Sequence, residues 1–237
     1  MLKYKLLSPV LYLAGFITFV VIAFLLVLTG LLYLPLFYKL DKLCCRVMML
    51  SLCIWPKYSG KFPTEGTYII MMNHSSFLDV FIFPLIPIGF YSGITAIENF
   101  KIPIFSMLIR RIQAIPIERK NRSAAIASIK RAEEVLAQNI HIGILPEGTR
   151  TLDGKLGEFK KGGFHMAINA KAPIVPVGVQ GAFEFKPKDR WWMNPRKIEI
   201  NIGNPTDPSA YETLGVDGLK SLIEKEIREL SGGEYAH

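Results

Sequence analysis

A histidine and an aspartate lie five positions apart in the segment MMNHSSFLDV, which spans residues 71 to 80. The pair, His74 and Asp79, follows TYIIMM, an apolar run typical of a strand buried on both faces. A carboxylate bound to one imidazole nitrogen fixes the tautomer and leaves the other nitrogen free as a base. On one uninterrupted helix the two side chains would point about 140° apart, so contact requires His74 on a loop and Asp79 in the helix that follows. The alternative is a polar helix cap in which Asp79 binds only backbone.

A second polar segment, PEGTR, follows the apolar run IHIGIL. Its Gly148 permits close backbone approach, and Arg150 offers a fork that suits phosphate or carboxylate, with Glu147 and Thr149 beside them. The alternative is a tight turn with a surface ion pair. Further on, Lys160 and the paired glycines of GEFKKGGFHMA could hold an anion before a helix N-terminus, or form a flexible basic loop.

Two basic segments indicate an anionic partner. Between Lys101 and Arg131 the chain carries eight basic residues against one acid, Glu118. The segment FKPKDRWWMNPRK places five basic residues beside Trp191 and Trp192, as expected at a lipid headgroup layer, although tryptophans are as common in protein cores. Nucleic acid is the competing partner, but the first segment lacks interleaved aromatic residues for base stacking. We therefore expect anionic lipid and no nucleic acid.

An uncharged stretch of 33 residues runs from Leu6 to Tyr38. It exceeds the roughly 20 residues that cross a hydrocarbon core and the ~7–15 residues of a signal-peptide core, so we expect a retained membrane anchor. Basic residues flank it on both sides, Lys3 and Lys5 before and Lys39 after, and the positive-inside rule places both flanks on the cytoplasmic side. Two arrangements remain open: a helical hairpin in one leaflet, or a single tilted span.

Charge and cysteine usage narrow the remaining possibilities. The formal net charge is +8, of which the first forty residues carry +3 and the rest +5. The three cysteines form no Cys-x-x-Cys pair, which argues against a disulfide framework or zinc site and favours a reducing, cytoplasm-facing location. The four histidines show no paired ligand spacing, so we expect no metal.

Beyond the anchor, short apolar runs alternate with amphipathic ones, which predicts an α/β fold with a largely parallel or mixed central sheet flanked by helices. We assign residues 1–58 to the anchor and an interfacial helix at 42–56, and residues 59–237 to a globular domain. The strands are predicted at residues 67–72, 89–95, 114–117, 140–145, 174–180 and 198–202. The helices are predicted at residues 103–111, 123–138, 163–171 and 217–230. Ligands of such sheets bind beyond the carboxyl ends of the strands, where both polar segments lie.

Four blocks together carry a resemblance to a known family. NHSSFLD, AIPIERKN, LPEGTR and APIVPVGVQG resemble, in order and spacing, the blocks of the glycerolipid acyltransferases related to 1-acylglycerol-3-phosphate acyltransferase. The likeness covers residues 68 to 181, about half the chain. The chain departs from the family pattern in three places: Ala96 and Ile97 stand where lysine is common, Gln113 stands where glycine is common, and Glu118 precedes Arg119 where aspartate is more frequent.

The resemblance implies acyl transfer from acyl carrier protein or acyl-coenzyme A to the sn-2 hydroxyl of lysophosphatidic acid, giving phosphatidic acid. It implies that His74 is the general base and that Asp79 orients it. It associates the glycerol phosphate with the block around Arg119 and with the EGTR residues Glu147, Gly148, Thr149 and Arg150, while Pro176 marks the fourth block. The thioester is a cosubstrate, so no cofactor is expected. Residues 59–237 would form the catalytic domain, on the cytoplasmic face of the cell inner membrane or another membrane.

Three other functions remain open from the residues. A related acyltransferase could use a different acceptor, such as glycerol-3-phosphate or another lysolipid. A hydrolase would use Ser75 or Ser76 as nucleophile, but no G-x-S-x-G elbow encloses either serine. A noncatalytic lipid-binding module would bind headgroups through its basic residues, with His74 only capping a helix.

Overall fold

The structure, a computed structural model, describes residues 1–117 and 122–233, without the side chains of residues 122–125. The helices are α1 Leu2–Leu32, α2 Leu34–Ser51, α3 Asp79–Ile82, α4 Phe105–Arg111, α5 Arg122–Leu136, α6 Gly162–Asn169, α7 Ala182–Phe185 and α8 Tyr211–Leu230. The strands are β1 Pro56–Ser59, β2 Ile69–Met72, β3 Tyr91–Ala96, β4 Ile115–Ile117, β5 His141–Ile144, β6 Ile174–Gln180 and β7 Ile198–Ile202.

The described strands form one mixed sheet in the order β1-β7-β6-β2-β5-β3-β4. The pair β6 and β7 is antiparallel, and every other neighbouring pair is parallel. The predicted α/β fold is therefore confirmed. Because β2 lies between β5 and β6, the carboxyl ends of these three parallel strands meet at one edge of the sheet.

The central strand β2 is buried on both faces, which explains why its sequence shows no polar alternation. Ile69 and Met71 belong to a core cluster with side chains of α5, α6 and α8. Ile70 and Met72 face the other way, into a cluster with α2. Burying each of these side chains stabilises the fold by roughly 1.5–3 kcal/mol.

Three elements differ most from the predicted ones, and the short helix α7 was not predicted. The expected helix at residues 42–56 is wrong at both ends, because α2 begins at Leu34 and ends at Ser51. The mostly exposed strand β1 has no apolar pattern and pairs with β7, so residues on both sides of the expected boundary at Tyr58 share one strand. Helix α8 begins at Tyr211, before the predicted start, and is interrupted at Gly215, whose φ is +60°.

The two N-terminal helices pack antiparallel. Helix α1 continues through Gly15, and the chain reverses at Tyr33, whose backbone is extended. On the way back, α2 brings Phe37 beside Gly30, and the chain just after α2 brings Leu52 beside Gly15. The reversal therefore lies near the end of the uncharged run and not at its middle, and α2 forms the second arm of the hairpin.

Helix α1 lies along the globular domain. Ser8 accepts a hydrogen bond from the backbone N–H of Met193 at 2.8 Å, and Gly30, 22 residues further on, lies against the side chain of Arg111. At about 1.5 Å per residue these contacts are about 33 Å apart. In the described part of the chain, α1 is the one helix long and apolar enough to cross a membrane. Its outer surface exposes large apolar side chains, among them Phe16 and Phe24.

Candidate active site

The site begins where β2 ends. The buried side chain of Asn73 pairs with the backbone of Val179 on the neighbouring strand β6. Its amide donates to the Val179 carbonyl at 3.0 Å and accepts from the Val179 N–H at 2.7 Å. This side chain thus ties the start of the loop to β6, and the next residue is His74.

His74 and Asp79 are in contact, as the loop-then-helix arrangement requires. His74 Nδ1 lies 2.7 Å from Asp79 Oδ2, and Asp79 is the first residue of α3. The same oxygen accepts the backbone N–H groups of Ser75 at 2.9 Å and Ser76 at 3.0 Å. The sequence left open whether Asp79 binds the imidazole or only caps the helix through backbone contacts. In the structure Asp79 does both.

The imidazole of His74 is partly exposed, as a base that reaches a ligand must be, whereas Asp79 is buried. The His74 side chain is 22% exposed, whereas that of Asp79 is 1% exposed. With Nδ1 donating to the carboxylate, Nε2 carries the lone pair and has no hydrogen-bond partner among the described residues. The imidazole can therefore accept a proton from a ligand at its accessible edge.

Glu147 lies behind the histidine. Its Oε1 accepts from the backbone N–H of His74 at 2.6 Å, and its Oε2 accepts from that of Gly157 at 2.8 Å. A Cβ at Gly157 would come within 2.9 Å of Oε2, so a larger residue there would displace the Glu147 carboxyl group. Burial raises the pKa of Glu147 to about 7, against the lowering effect of the two backbone hydrogen bonds. The structure thus places this predicted substrate residue in contact with the backbone of the site.

The segment after β5 also forms a hydrogen bond with the backbone carbonyl of His74. The Thr151 backbone N–H donates to the His74 carbonyl at 3.0 Å. Gly148 takes a positive φ of +72° in the preceding turn, where its N–H donates to the Leu145 carbonyl. Thr149 is exposed and Arg150 half-buried. The EGTR segment therefore lies directly against the His74 loop.

Two other predicted site residues, both described, bring no side chain into this cluster, although the backbone N–H of Lys160 donates to the Pro146 carbonyl at 2.8 Å. Lys160 is on the surface, with Nζ 3.8 Å from Glu158 Oε2, an exposed pair of the kind that contributes little. Pro176 is buried within β6, opposite Met71, and its carbonyl accepts from the Gly203 N–H. Arg119 lies outside the described residues.

The serines beside His74 are not arranged as nucleophiles. The Oγ atoms of Ser75 and Ser76 are buried and have no hydrogen-bond partner among the described residues, His74 included. Among those residues no group of three His, Cys, Asp or Glu side chains could hold a metal ion. The buried His141 accepts from the Tyr68 N–H at 3.1 Å, and burial lowers its pKa.

The sequence did not single out Lys186 or Gly157, both of which the fold brings to this region. Gly157 contacts Glu147, as described above. Lys186 follows α7 and is close enough to Arg150 for the two charges to interact. The only signal for Lys186 in the sequence was its membership of the basic segment with the two tryptophans.

The sequence model of the Acyltransferase family matches residues 56 to 180. The chain is also similar to curated 1-acyl-sn-glycerol-3-phosphate acyltransferases. The protein from Limnanthes douglasii is 31% identical over 75% of this chain and 64% of its own length. The Cocos nucifera protein is 34% identical over 68% and 52%, and the Pseudomonas aeruginosa protein is 29% identical over 70% and 64%. The chain thus spans between about half and two thirds of the length of these relatives.

The fold has a counterpart among crystal structures. The 1-acyl-sn-glycerophosphate (LPA) acyltransferase PlsC from Thermotoga maritima superposes with a TM-score of 0.81. The alignment covers 97% of this chain and 98% of that chain at 23% sequence identity. This likeness is one of fold, and it includes the N-terminal helices.

Proposed function

The chain belongs to the acyltransferase family, and on that premise we propose that it moves a fatty acyl group from a thioester to the sn-2 hydroxyl of lysophosphatidic acid, yielding phosphatidic acid. The observation that carries the proposal is the contact of 2.7 Å between His74 Nδ1 and Asp79 Oδ2, with Nε2 left accessible. The names of the curated relatives support the choice of acceptor.

The pair supplies general base catalysis. An alcohol attacks a thioester slowly until a base removes its proton, and a positioned base contributes about 10²–10⁴-fold. His74 Nε2 takes the hydroxyl proton as the alkoxide oxygen bonds to the thioester carbonyl carbon. The tetrahedral intermediate then collapses, the carbon–sulfur bond breaks, and the imidazolium returns its proton to the thiolate. Asp79 holds the imidazole in one tautomer and stabilises its charged form.

Arg150 is proposed to bind the acceptor's phosphate, because a guanidinium forms paired charge-assisted bonds with phosphate oxygens. By the family resemblance Arg119 contributes as well. For Glu147, Gly148 and Thr149 we propose a positioning role, since Glu147 and the turn that follows it hold the backbone on which His74 and Arg150 stand. The thioester donor is acyl carrier protein or acyl-coenzyme A, and no cofactor takes part in these steps.

We further propose that the protein binds the membrane through α1. Contacts with the globular domain near both ends of α1 fit a helix that lies in one leaflet better than one that crosses the bilayer. Met107 of α4 lies beside Leu31 of α1 and extends the exposed apolar surface of that helix. This arrangement keeps Lys5 and Lys39 on one side of the bilayer, proposed to be the cytoplasmic side.

The test is an assay of the purified protein with lysophosphatidic acid and each thioester donor. We expect phosphatidic acid from the wild type, and a loss of at least about 10²-fold in kcat for His74→Ala and Asp79→Asn. His165→Ala is the matched control, because His165 is exposed on α6 and should retain full activity. Full activity of His74→Ala would refute His74 as the base, whereas a wild type that forms no product with any acceptor would support a noncatalytic lipid-binding module. Product from only glycerol-3-phosphate or another lysolipid would replace the proposed acceptor.

A further inference from the structure

The short helix α7 lies between the two segments that build the site. The ring of Phe185 is 6.3 Å, centroid to centroid, from the ring of Phe77 in the His74 loop. On its other side, a Cβ at Gly154 would come within 2.9 Å of the Phe183 ring. Lys186 follows α7 directly. The packing of α7 thus places a lysine beside both the His74 loop and the segment after β5.

Lys186 and Arg150 form a pair of neighbouring cations. Burial is the first cause of the lowered pKa of Lys186, followed by the positive charges of Arg150 and Arg190, while the carboxylate of Asp189 acts in the opposite direction. The recorded hydrogen bond of Lys186 Nζ goes to the carbonyl of the adjacent Pro187 at 3.1 Å. Neither cation has an ion pair with a carboxylate among the described residues.

Arg190 is also close to Lys186, but its guanidinium is already engaged. It donates to the carbonyls of Glu184, Phe185 and Trp192, and it stacks 3.9 Å from the centre of the Trp192 ring. Arg190 therefore stabilises the loop after α7. Lys186 and Arg150 remain as two half-buried like charges, an arrangement that an anion between them would stabilise.

We propose that Lys186 binds the phosphate of the acceptor together with Arg150, and so helps to select a phosphomonoester. This inference rests on the proposed function. In lysophosphatidic acid the free hydroxyl and the phosphate are on adjacent glycerol carbons, so a phosphate site must lie within a few ångström of the base. Each cation is next in the chain to a residue that contacts the His74 loop: Arg150 precedes Thr151, which binds the His74 carbonyl, and Lys186 follows Phe185, whose ring lies near that of Phe77.

The two cations would contribute differently. The planar guanidinium of Arg150 suits two phosphate oxygens at once, whereas the ammonium of Lys186 is a compact charge with three donors. A phosphomonoester carries close to two negative charges at neutral pH, which two cations balance. An acceptor without phosphate would leave both cations unpaired, and this provides discrimination.

The test compares Lys186→Met and Lys186→Arg with the wild type. Lys188→Met is the matched control, because Lys188 is an exposed lysine two positions along the same segment. For Lys186→Met we expect KM for lysophosphatidic acid to rise about tenfold to hundredfold, as loss of a charge-assisted hydrogen bond implies. The value of kcat should stay within about threefold. Lys186→Arg should recover most of the affinity, and Lys188→Met should match the wild type.

Two further measurements separate the possible sources of the effect. Inorganic phosphate should protect the wild type from thermal unfolding, and this protection should weaken in Lys186→Met. Binding to vesicles of phosphatidylcholine and phosphatidylglycerol should be unchanged, because the site is for one phosphate and not for a charged surface. An unchanged KM, a fall in kcat alone, or a matching loss of vesicle binding would overturn the inference.

The phosphate measurement does not depend on turnover. A wild type that makes no phosphatidic acid, but whose phosphate protection needs Lys186, would refute the proposed function and keep the anion site. An active wild type whose KM and phosphate protection are insensitive to Lys186→Met would refute the anion site alone.

Discussion

The buried carboxylate of Glu147 accepts a hydrogen bond of 2.6 Å from the backbone N–H of His74. Its second oxygen binds Gly157, so both oxygens contact backbone of the site. A residue that contacted substrate would alter KM when changed, whereas one that positions the base would alter kcat.

Glu147→Gln should therefore lower kcat about tenfold to hundredfold while KM for lysophosphatidic acid changes by less than about threefold. The amide oxygen can still accept one backbone N–H, but the amide NH₂ would face the other N–H, so the loop shifts. Steady-state kinetics with varied acceptor is the measurement. A large rise in KM at constant kcat would instead indicate that Glu147 contacts the substrate.

Asp41 is a buried carboxyl group on α2 that the proposed chemistry does not use. Tyr91 Oη on β3 donates to Asp41 Oδ2, and Cys45 Sγ lies 3.7 Å from Oδ1. Burial raises the pKa of Asp41 to about 7, against the lowering effects of Cys45 and Lys42. The folded protein therefore favours the protonated form over a wider pH range than the unfolded chain does.

The raised pKa predicts a pH dependence of stability. Its contribution is fully present below the ordinary pKa of 3.8 and is lost as pH rises through about 7. Between pH 4 and pH 8 the free energy of unfolding of the wild type should fall relative to Asp41→Asn by about 2–4 kcal/mol. Denaturant unfolding of both proteins in detergent at several pH values measures the difference.

The pKa of Glu147 is also raised to about 7. Because both proteins contain Glu147, its contribution to the pH dependence of stability cancels in that comparison. Parallel pH profiles for the wild type and Asp41→Asn would show that Asp41 titrates normally in the folded state.

We predict that the exposed apolar side chains of α1 contribute to membrane binding. Phe16 and Phe24 are 67% and 68% exposed there. Burying one such ring in hydrocarbon contributes about 1.5–3 kcal/mol, so each Phe→Ser change should weaken partitioning into vesicles by at least about tenfold. Flotation with phospholipid vesicles measures it.

Leu214→Ser is the control for membrane binding. Leu214 is 37% exposed on α8, which packs on the face of the sheet opposite α2. Its replacement should leave vesicle binding unchanged. Equal losses for Leu214→Ser and the α1 changes would mean that α1 has no special role at the bilayer.

Where patterns are local, the amino-acid sequence was informative. The spans of β6 and β7 match their predicted limits, because the apolar, valine-rich run of β6 and the alternation of isoleucine with polar residues in β7 both indicate a strand. The family resemblance has glycine at the position of Gln113, whose backbone takes a φ of +56°, the left-handed region that glycine adopts most readily. Strand β1 was not predicted, because its short polar sequence becomes a strand only through pairing with β7.

The sequence by itself predicted the contact between His74 and Asp79, since a histidine after a strand and an aspartate at the next helix start can meet within one short loop. Only the tertiary structure decided what surrounds that pair. Glu147 is 73 positions from His74, and Lys186 approaches Arg150 only because α7 packs between two loops. Likewise, the length and apolar composition of α1 are local, but its course along the domain depends on contacts such as that of Ser8 with Met193, 185 positions away. Contacts at such separations arise from the order of strands and from packing, which no spacing in the chain encodes.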